Sequence, residues 1–247
     1  LAGDHLAGPS NRRSKAHASK AVFARFVDID DVLDVGCGDG RWLSVCRAKG
    51  AAAIAGVDGP WTDLDRLLIP ADTVTIHELS ESFDLRRRFS LAISLEVAEH
   101  VGERSAEVFI DNLVRHSDVI LFGAAIPYQG GFRHINEQWQ SYWSGLFNAR
   151  GFGTYDVLRS QVWDDANVHF WYRQNAIIYV NEKNTDAISR VSNYVKQNNI
   201  QQIPLDVVHP EKFKAVASYK QIAFKPLARE LPRQTARKFM SIVRNEI

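Results

Sequence analysis

Apolar and polar positions along this chain fall into blocks of two kinds. Short, nearly continuous apolar runs recur at 32–35, 53–57, 74–77, 89–95 and 118–126, the last closed by Pro127. Runs of this length bounded by turn residues predict strands buried on both faces. Between them the apolar residues take helical spacing. Trp42, Leu43 and Val45 follow the first run, and that helix ends near Gly50; 103–116 follows the fourth run. In 137–150, Trp139, Tyr142, Trp143, Leu146 and Phe147 mark a helix face, with Gly151 as C-cap. Ahead of the first strand, Ala16, Ala18, Val22, Phe23 and Phe26 are spaced as an amphipathic helix that would cover the sheet edge. Two further strands, 154–163 and 174–180, bring the set to seven. Strands alternating with helices predict a doubly wound α/β fold whose sheet is mostly parallel, with one antiparallel edge strand.

After Glu182 the pattern becomes polar: a helix over 186–198, then Ile203-Pro204 and His209-Pro210, then a second helical stretch. We therefore expect a domain over 1–182 and a helical extension over 183–247. That extension holds twelve basic residues against five acidic ones. A solvated helix face, an anionic partner and a self-association surface all remain open for it.

Composition narrows the class. A chain of 247 residues with 45% hydrophobic and 24% charged residues suits one α/β domain with an appendage. A net charge of +1 gives no overall drive towards nucleic acid. Cys37 and Cys46 are too few for a disulfide framework and read as reduced, buried filler. The longest apolar run, 119–127, is far shorter than the ~20 residues of a membrane span. With no charged-then-apolar leader at the start, a cytoplasmic protein is expected.

The chemistry centres on 32–43, VLDVGCGDGRWL. Asp34 closes the first strand just before Gly36, Gly38 and Gly40, so a tight turn without Cβ atoms opens onto a helix N-terminus. A third glycine at 41 would complete the dinucleotide fingerprint, but that residue is Arg41. The run resembles instead motif I of the class I S-adenosylmethionine (SAM) methyltransferases, D/E-x-G-x-G-x-G. Asp58, at the carboxyl end of the second strand, can accept hydrogen bonds from both hydroxyls of a nucleoside ribose. The same resemblance implies that Glu78, where the family usually has Asp, meets the adenine amino group, with the Leu79 backbone N–H also available.

At the end of the fourth strand stand Glu96, Glu99 and His100, spaced i, i+3 and i+4. A helix starting near Glu96 would point all three one way. Two carboxylates this close repel, and a divalent cation resolves the conflict with oxygen ligands and an imidazole. The E-x-x-E-H pattern resembles the metal site of ubiquinone-pathway O-methyltransferases and of small-RNA 3′-terminal 2′-O-methyltransferases. The latter add a later histidine before a Trp- and Phe-rich helix, and His134 in FRHINEQWQSYW takes that place. These resemblances imply a metal bound by Glu96, Glu99, His100 and His134, with Mg²⁺ or Mn²⁺ as candidates. They also put Glu96 beside the cofactor and make Glu99, His100 and His134 catalytic. A metal-free site with His100 as general base is the competing reading. His77, His116, His169 and His209 carry no supporting pattern and read as structural.

The HINEQWQSYW loop and the WYRQN run resemble bacterial methyltransferases that modify surface polysaccharides and sugars. This implies a SAM-dependent O-methyltransferase acting on a sugar hydroxyl of a carbohydrate or glycoconjugate. Tyr128, Gln129, Arg133, Asn136 and 172–175 offer polar groups for such an acceptor. Methylation of an RNA 3′ end is the rival within enzymes, disfavoured because the catalytic part carries no basic stripe. A nucleoside-binding module without catalysis is the rival outside them, and it would not need the second pair of acids.

Overall fold

The computed structural model describes residues 29–201 and 203–217. The amphipathic segment expected at 15–26, and most of the basic extension, lie outside the described residues. The strands are β1 (Asp31–Val35), β2 (Ala53–Asp58), β3 (Val74–Ile76), β4 (Leu91–Leu95), β5 (Val119–Gly123), β6 (Phe152–Tyr155) and β7 (Ile177–Asn181). The helices are α1 (Arg41–Ala48), α2 (Ala106–His116), α3 (Gln140–Asn148), α4 (Arg159–Val162), α5 (Phe170–Asn175), α6 (Thr185–Gln197) and α7 (Pro210–Ala217). The seven strands form one sheet in the order β3-β2-β1-β4-β5-β7-β6.

Strands β3, β2, β1, β4 and β5 pair in parallel, and β7 runs antiparallel to both β5 and β6. The antiparallel strand is thus one place in from the edge, not at the edge as the alternation predicted. Alternate residues of each strand feed two cores. Val32, Ile54, Leu91, Ile93, Leu121 and Ile178 pack with Leu43 and Cys46 of α1 and with Ala187, Val191 and Tyr194 of α6. On the other face Leu33, Val57, Ala92, Ile120 and Tyr179 meet Phe109, Ile110 and Leu113 of α2 and Trp143 and Phe147 of α3. Burial on both faces is why the parallel strands read as continuous apolar runs.

Two departures from the sequence pattern matter for the site. The run expected as a strand over 154–163 keeps only its first two residues in β6, and 159–162 is helical. Arg159 is fully buried there: it pairs with Asp156 at 2.7 Å and donates to the Leu205 carbonyl at 2.7 Å. A buried guanidinium must be paired and hydrogen-bonded, and these contacts serve both of its terminal nitrogens at the cost of strand continuity. The compact unit also continues to His209, past the boundary expected at 182. Its last segment is sewn in by Asp206 accepting from the Ser141 N–H and hydroxyl at 2.8 and 2.7 Å, and by Gln174 accepting from His209 N–H at 2.8 Å. From Pro210 onward the chain forms a separate unit, of which α7 is described.

Candidate active site

The carboxyl ends of β1, β2 and β4 meet at the glycine loop. Gly36, Gly38 and Gly40 have φ of 85°, 55° and 74°, the left-handed region that favours glycine. A Cβ at Gly36 would collide with Val97, whereas one at Gly38 would meet nothing within 4 Å. The loop is therefore closed behind Gly36 and open before Gly38. Asp58 fixes it: its Oδ2 accepts from Gly38 N–H at 2.6 Å and its Oδ1 from Gly59 N–H at 2.7 Å. A carboxylate has about four lone-pair sites, so both oxygens keep capacity for further donors such as ribose hydroxyls.

Asp34 lies under the same loop, 2% exposed, and its Oδ2 has no hydrogen-bond partner among the described residues. Burial, reinforced by the charges of Asp58 and Asp39, pushes its carboxyl from 3.8 up to about 8. Such an orphaned acid beside an open glycine cradle suits a cofactor that carries positive charge. Glu78 is half-buried past the end of β3 and accepts from the Ser80 hydroxyl at 3.3 Å, while Leu79 buries its side chain in the α2-side core. β3 pairs with β2 so that Ile76 lies opposite Asp58, which places Glu78 near the Asp58 end of the cradle.

At the end of β4 the structure corrects the helical placement of Glu96, Glu99 and His100. Glu96 continues the ladder by donating its N–H to the Gly123 carbonyl at 2.8 Å, then takes φ 57°. That left-handed conformation in a non-glycine residue turns the chain, so a short 3₁₀ turn starts only at Ala98–His100. Glu96 consequently does not share a face with the other two. Its Oε1 accepts from the Asn175 amide at 2.8 Å and its Oε2 from the Gln129 amide at 2.7 Å. Gln174 backs this cage, donating to Gln129 Oε1 at 3.0 Å and Asn175 Oδ1 at 2.9 Å. Desolvation raises the Glu96 carboxyl to about 7 despite the two amide donors. Gln129 and Asn175, read from sequence as acceptor-recognition groups, are turned inward to hold an acid.

The structure gathers instead Glu99, His100 and His134, one ligand atom of each lying within 4.8 Å of the others. Glu99 is 1% exposed, and neither of its carboxylate oxygens has a hydrogen-bond partner among the described residues. Desolvation first, then the Glu96 charge, raise it well above the ordinary carboxylate range. His134 Nε2 is 3.9 Å from Glu99 Oε1, and the His100 and His134 rings meet edge-on at 4.9 Å. The loop carrying His134 is anchored on the Glu99 backbone, whose carbonyl accepts from Ile135 and Asn136 N–H at 2.9 and 3.1 Å. Burial and the neighbouring His134 lower the His100 pKa, which favours the neutral imidazole. One buried, unpartnered carboxylate and two imidazoles fit a divalent cation.

Comparison with known proteins follows the same lines. Residues 6–121 match the model of a methyltransferase domain. Curated proteins give no match by sequence. Among solved structures, the small RNA methyltransferase HEN1 is 16% identical over 74% of this chain and 26% of its own, with a TM-score of 0.52. DesVI of Streptomyces venezuelae is 15% identical, covering 68% of this chain and 93% of its own, with a TM-score of 0.50. The sugar N-methyltransferase KedS8 of Streptoalloteichus sp is 14% identical, covering 73% and 95%, with a TM-score of 0.50. At these identities the likeness is one of fold, the seven-stranded, mostly parallel Rossmann-like sheet of class I methyltransferases. The methyltransferase domain matched over 6–121 and that fold together support a SAM-dependent methyltransferase.

Proposed function

We propose that this enzyme methylates a hydroxyl of a neutral, polyhydroxylated acceptor such as a sugar, with a divalent cation held by Glu99, His100 and His134. The observation that carries the reading is Glu99: a buried carboxylate with both oxygens unpartnered among the described residues, converging with two imidazoles. SAM supplies a methyl group made electrophilic by its sulfonium. A divalent cation supplies Lewis acidity that makes a hydroxyl more acidic and fixes its direction.

The remaining work falls to the chain itself. Asp58 and the glycine loop hold the nucleoside end, and Asp34 offers a counter-charge to a cationic cofactor. The loop over 128–139, pinned to the Glu99 carbonyl, holds His134 beside Glu99 and His100 and so helps to keep acceptor and methyl donor aligned. Neutrality of the acceptor is supported by the charges around it. Arg133 is the one Lys or Arg that the 128–139 loop brings. A site this poor in positive charge offers little of the cationic surface that a phosphate backbone requires.

The test is methyl transfer from labelled SAM to sugars that present a vicinal diol, alongside the matching deoxy sugars and short RNA ends. The diol sugars should be methylated in the presence of Mg²⁺ or Mn²⁺, the deoxy sugars poorly, and chelation should abolish transfer. An undiminished rate in protein shown by elemental analysis to be metal-free would end the metal reading and leave His100 as the base. Preferential labelling of RNA ends would end the sugar reading.

A further inference from the structure

Glu137 stands outside the donor trio, yet one of its carboxylate oxygens organises the loop that carries His134. Its Oε1 accepts from Gly130 N–H at 2.6 Å and lies 2.9 Å from His134 Nδ1. The Glu137 and His134 side chains are both largely buried, at 18% and 12% exposure, so water competes little for this contact. The same oxygen accepts from the Gly130 amide, so it serves as acceptor here and the hydrogen between the two groups belongs to His134 Nδ1. A neutral imidazole with a hydrogen on Nδ1 carries its lone pair on Nε2. Nε2 is the atom that faces Glu99 Oε1 at 3.9 Å. Gly131 leaves the room this requires: a Cβ there would collide with His134 Nε2.

We infer that Glu137 is a positioning residue, fixing His134 in the Nδ1–H tautomer so that Nε2 presents its lone pair to a cation shared with Glu99 and His100. The inference rests on the metal reading above, and it adds a residue that touches neither the cation nor the substrates. It acts through the imidazole, and an outer partner of this kind is worth about 10–100-fold in metal affinity. Glu137 also fixes Gly130, so a stability loss on its removal would not by itself show the positioning role.

The experiment therefore reads the tautomer and the metal separately. The full chain is labelled with ¹⁵N, the His134 tautomer is read from long-range ¹H–¹⁵N couplings, and Mn²⁺ affinity is measured by electron paramagnetic resonance. Glu137→Ala should move His134 away from the pure Nδ1–H form and weaken Mn²⁺ binding about tenfold or more. Glu137→Gln keeps an acceptor oxygen for both donors and should restore both properties to near those of the unsubstituted enzyme. The inference is overturned if His134 keeps the Nδ1–H form in Glu137→Ala. It is equally overturned if the unsubstituted enzyme binds Mn²⁺ and Glu137→Ala binds it as tightly. If the unsubstituted enzyme binds no Mn²⁺ while the tautomer still follows Glu137, the metal reading fails and the control of His134 by Glu137 stands.

Discussion

Replacing Asp34 with Asn should make the unliganded enzyme far less sensitive to pH. Asp34 is 2% exposed, with Oδ2 unpartnered among the described residues, and its carboxyl is raised from 3.8 to about 8 chiefly by burial. Below its unfolded value the group is protonated in both states and costs nothing. As pH climbs towards 8 the unfolded chain ionises it freely while the fold holds the proton, so stability falls by up to about 1.4 kcal/mol per unit. Between about pH 5 and about pH 8 this one group should remove about 4 kcal/mol of stability. Asparagine keeps the shape and cannot ionise. Urea unfolding of both proteins at the two pH values gives the quantity needed, the stability of the variant relative to Asp34. That relative stability should rise by about 4 kcal/mol from the lower pH to the higher. Glu96 and Glu99 also hold protons unusually tightly, but both are present in each protein and largely cancel in the difference. A relative stability equal at the two pH values, to within about 1 kcal/mol, would show that Asp34 is ionised in the unliganded fold. Asp34 would then not be a carboxyl that gives up its proton only to a cationic cofactor.

Two other substitutions test neighbouring parts of the site. Asp58→Ala removes the acceptor of the Gly38 and Gly59 N–H groups. Bonds to a charged group are worth about 1.5–3 kcal/mol each, so calorimetry should find SAM bound roughly tenfold or more weakly; unchanged affinity would remove Asp58 from the site. Glu96→Gln should leave Mn²⁺ affinity within about twofold, because the amides of Asn175 and Gln129 already occupy that carboxylate, while Glu99→Gln should lose Mn²⁺ by about tenfold or more. Equal losses in the two variants would return Glu96 to the metal site.

The fold was legible in sequence wherever burial on two faces left an apolar run, and that covers β1, β2, β4 and β5. It was illegible where polar residues are buried for a reason outside their own segment. Arg159 falls within a run expected as a strand, and only in the structure do Asp156 and the carbonyls of Pro204 and Leu205 surround it. Gln174 and Asn175 read as the start of the last strand. In the structure they end α5, because their amides are committed to Gln129 and Glu96. The compact unit runs past 182, to His209, for a related reason. Ala187, Val191 and Tyr194 do carry a helical spacing of i, i+4 and i+7, but the exposed face between them made the whole stretch look solvated.

The site was legible as chemistry and illegible as conformation. Asp34, the three glycines and Asp58 follow from a strand, a turn and a strand end, and all of them meet at the carboxyl ends of β1 and β2. For Glu96, Glu99 and His100 the spacing argument depended on one dihedral angle. An α-helix from Glu96 would have stacked all three; the left-handed φ at Glu96 sends its carboxylate to the amides and leaves Glu99 and His100 to find His134. Nothing in the identity of a glutamate foretells that angle. The burial of these acids also poses an electrostatic problem. Asp34, Glu96 and Glu99 are three carboxyl groups that burial makes reluctant to ionise, at one end of one sheet. Side-chain amides relieve Glu96, whereas Glu99 has only nearby backbone N–H groups to offset its burial. The unliganded enzyme must hold protons on the other two, or bring positive charge to them. The sulfonium cofactor and the cation proposed above each carry that charge, so ligand binding and proton release should be coupled at this end of the sheet.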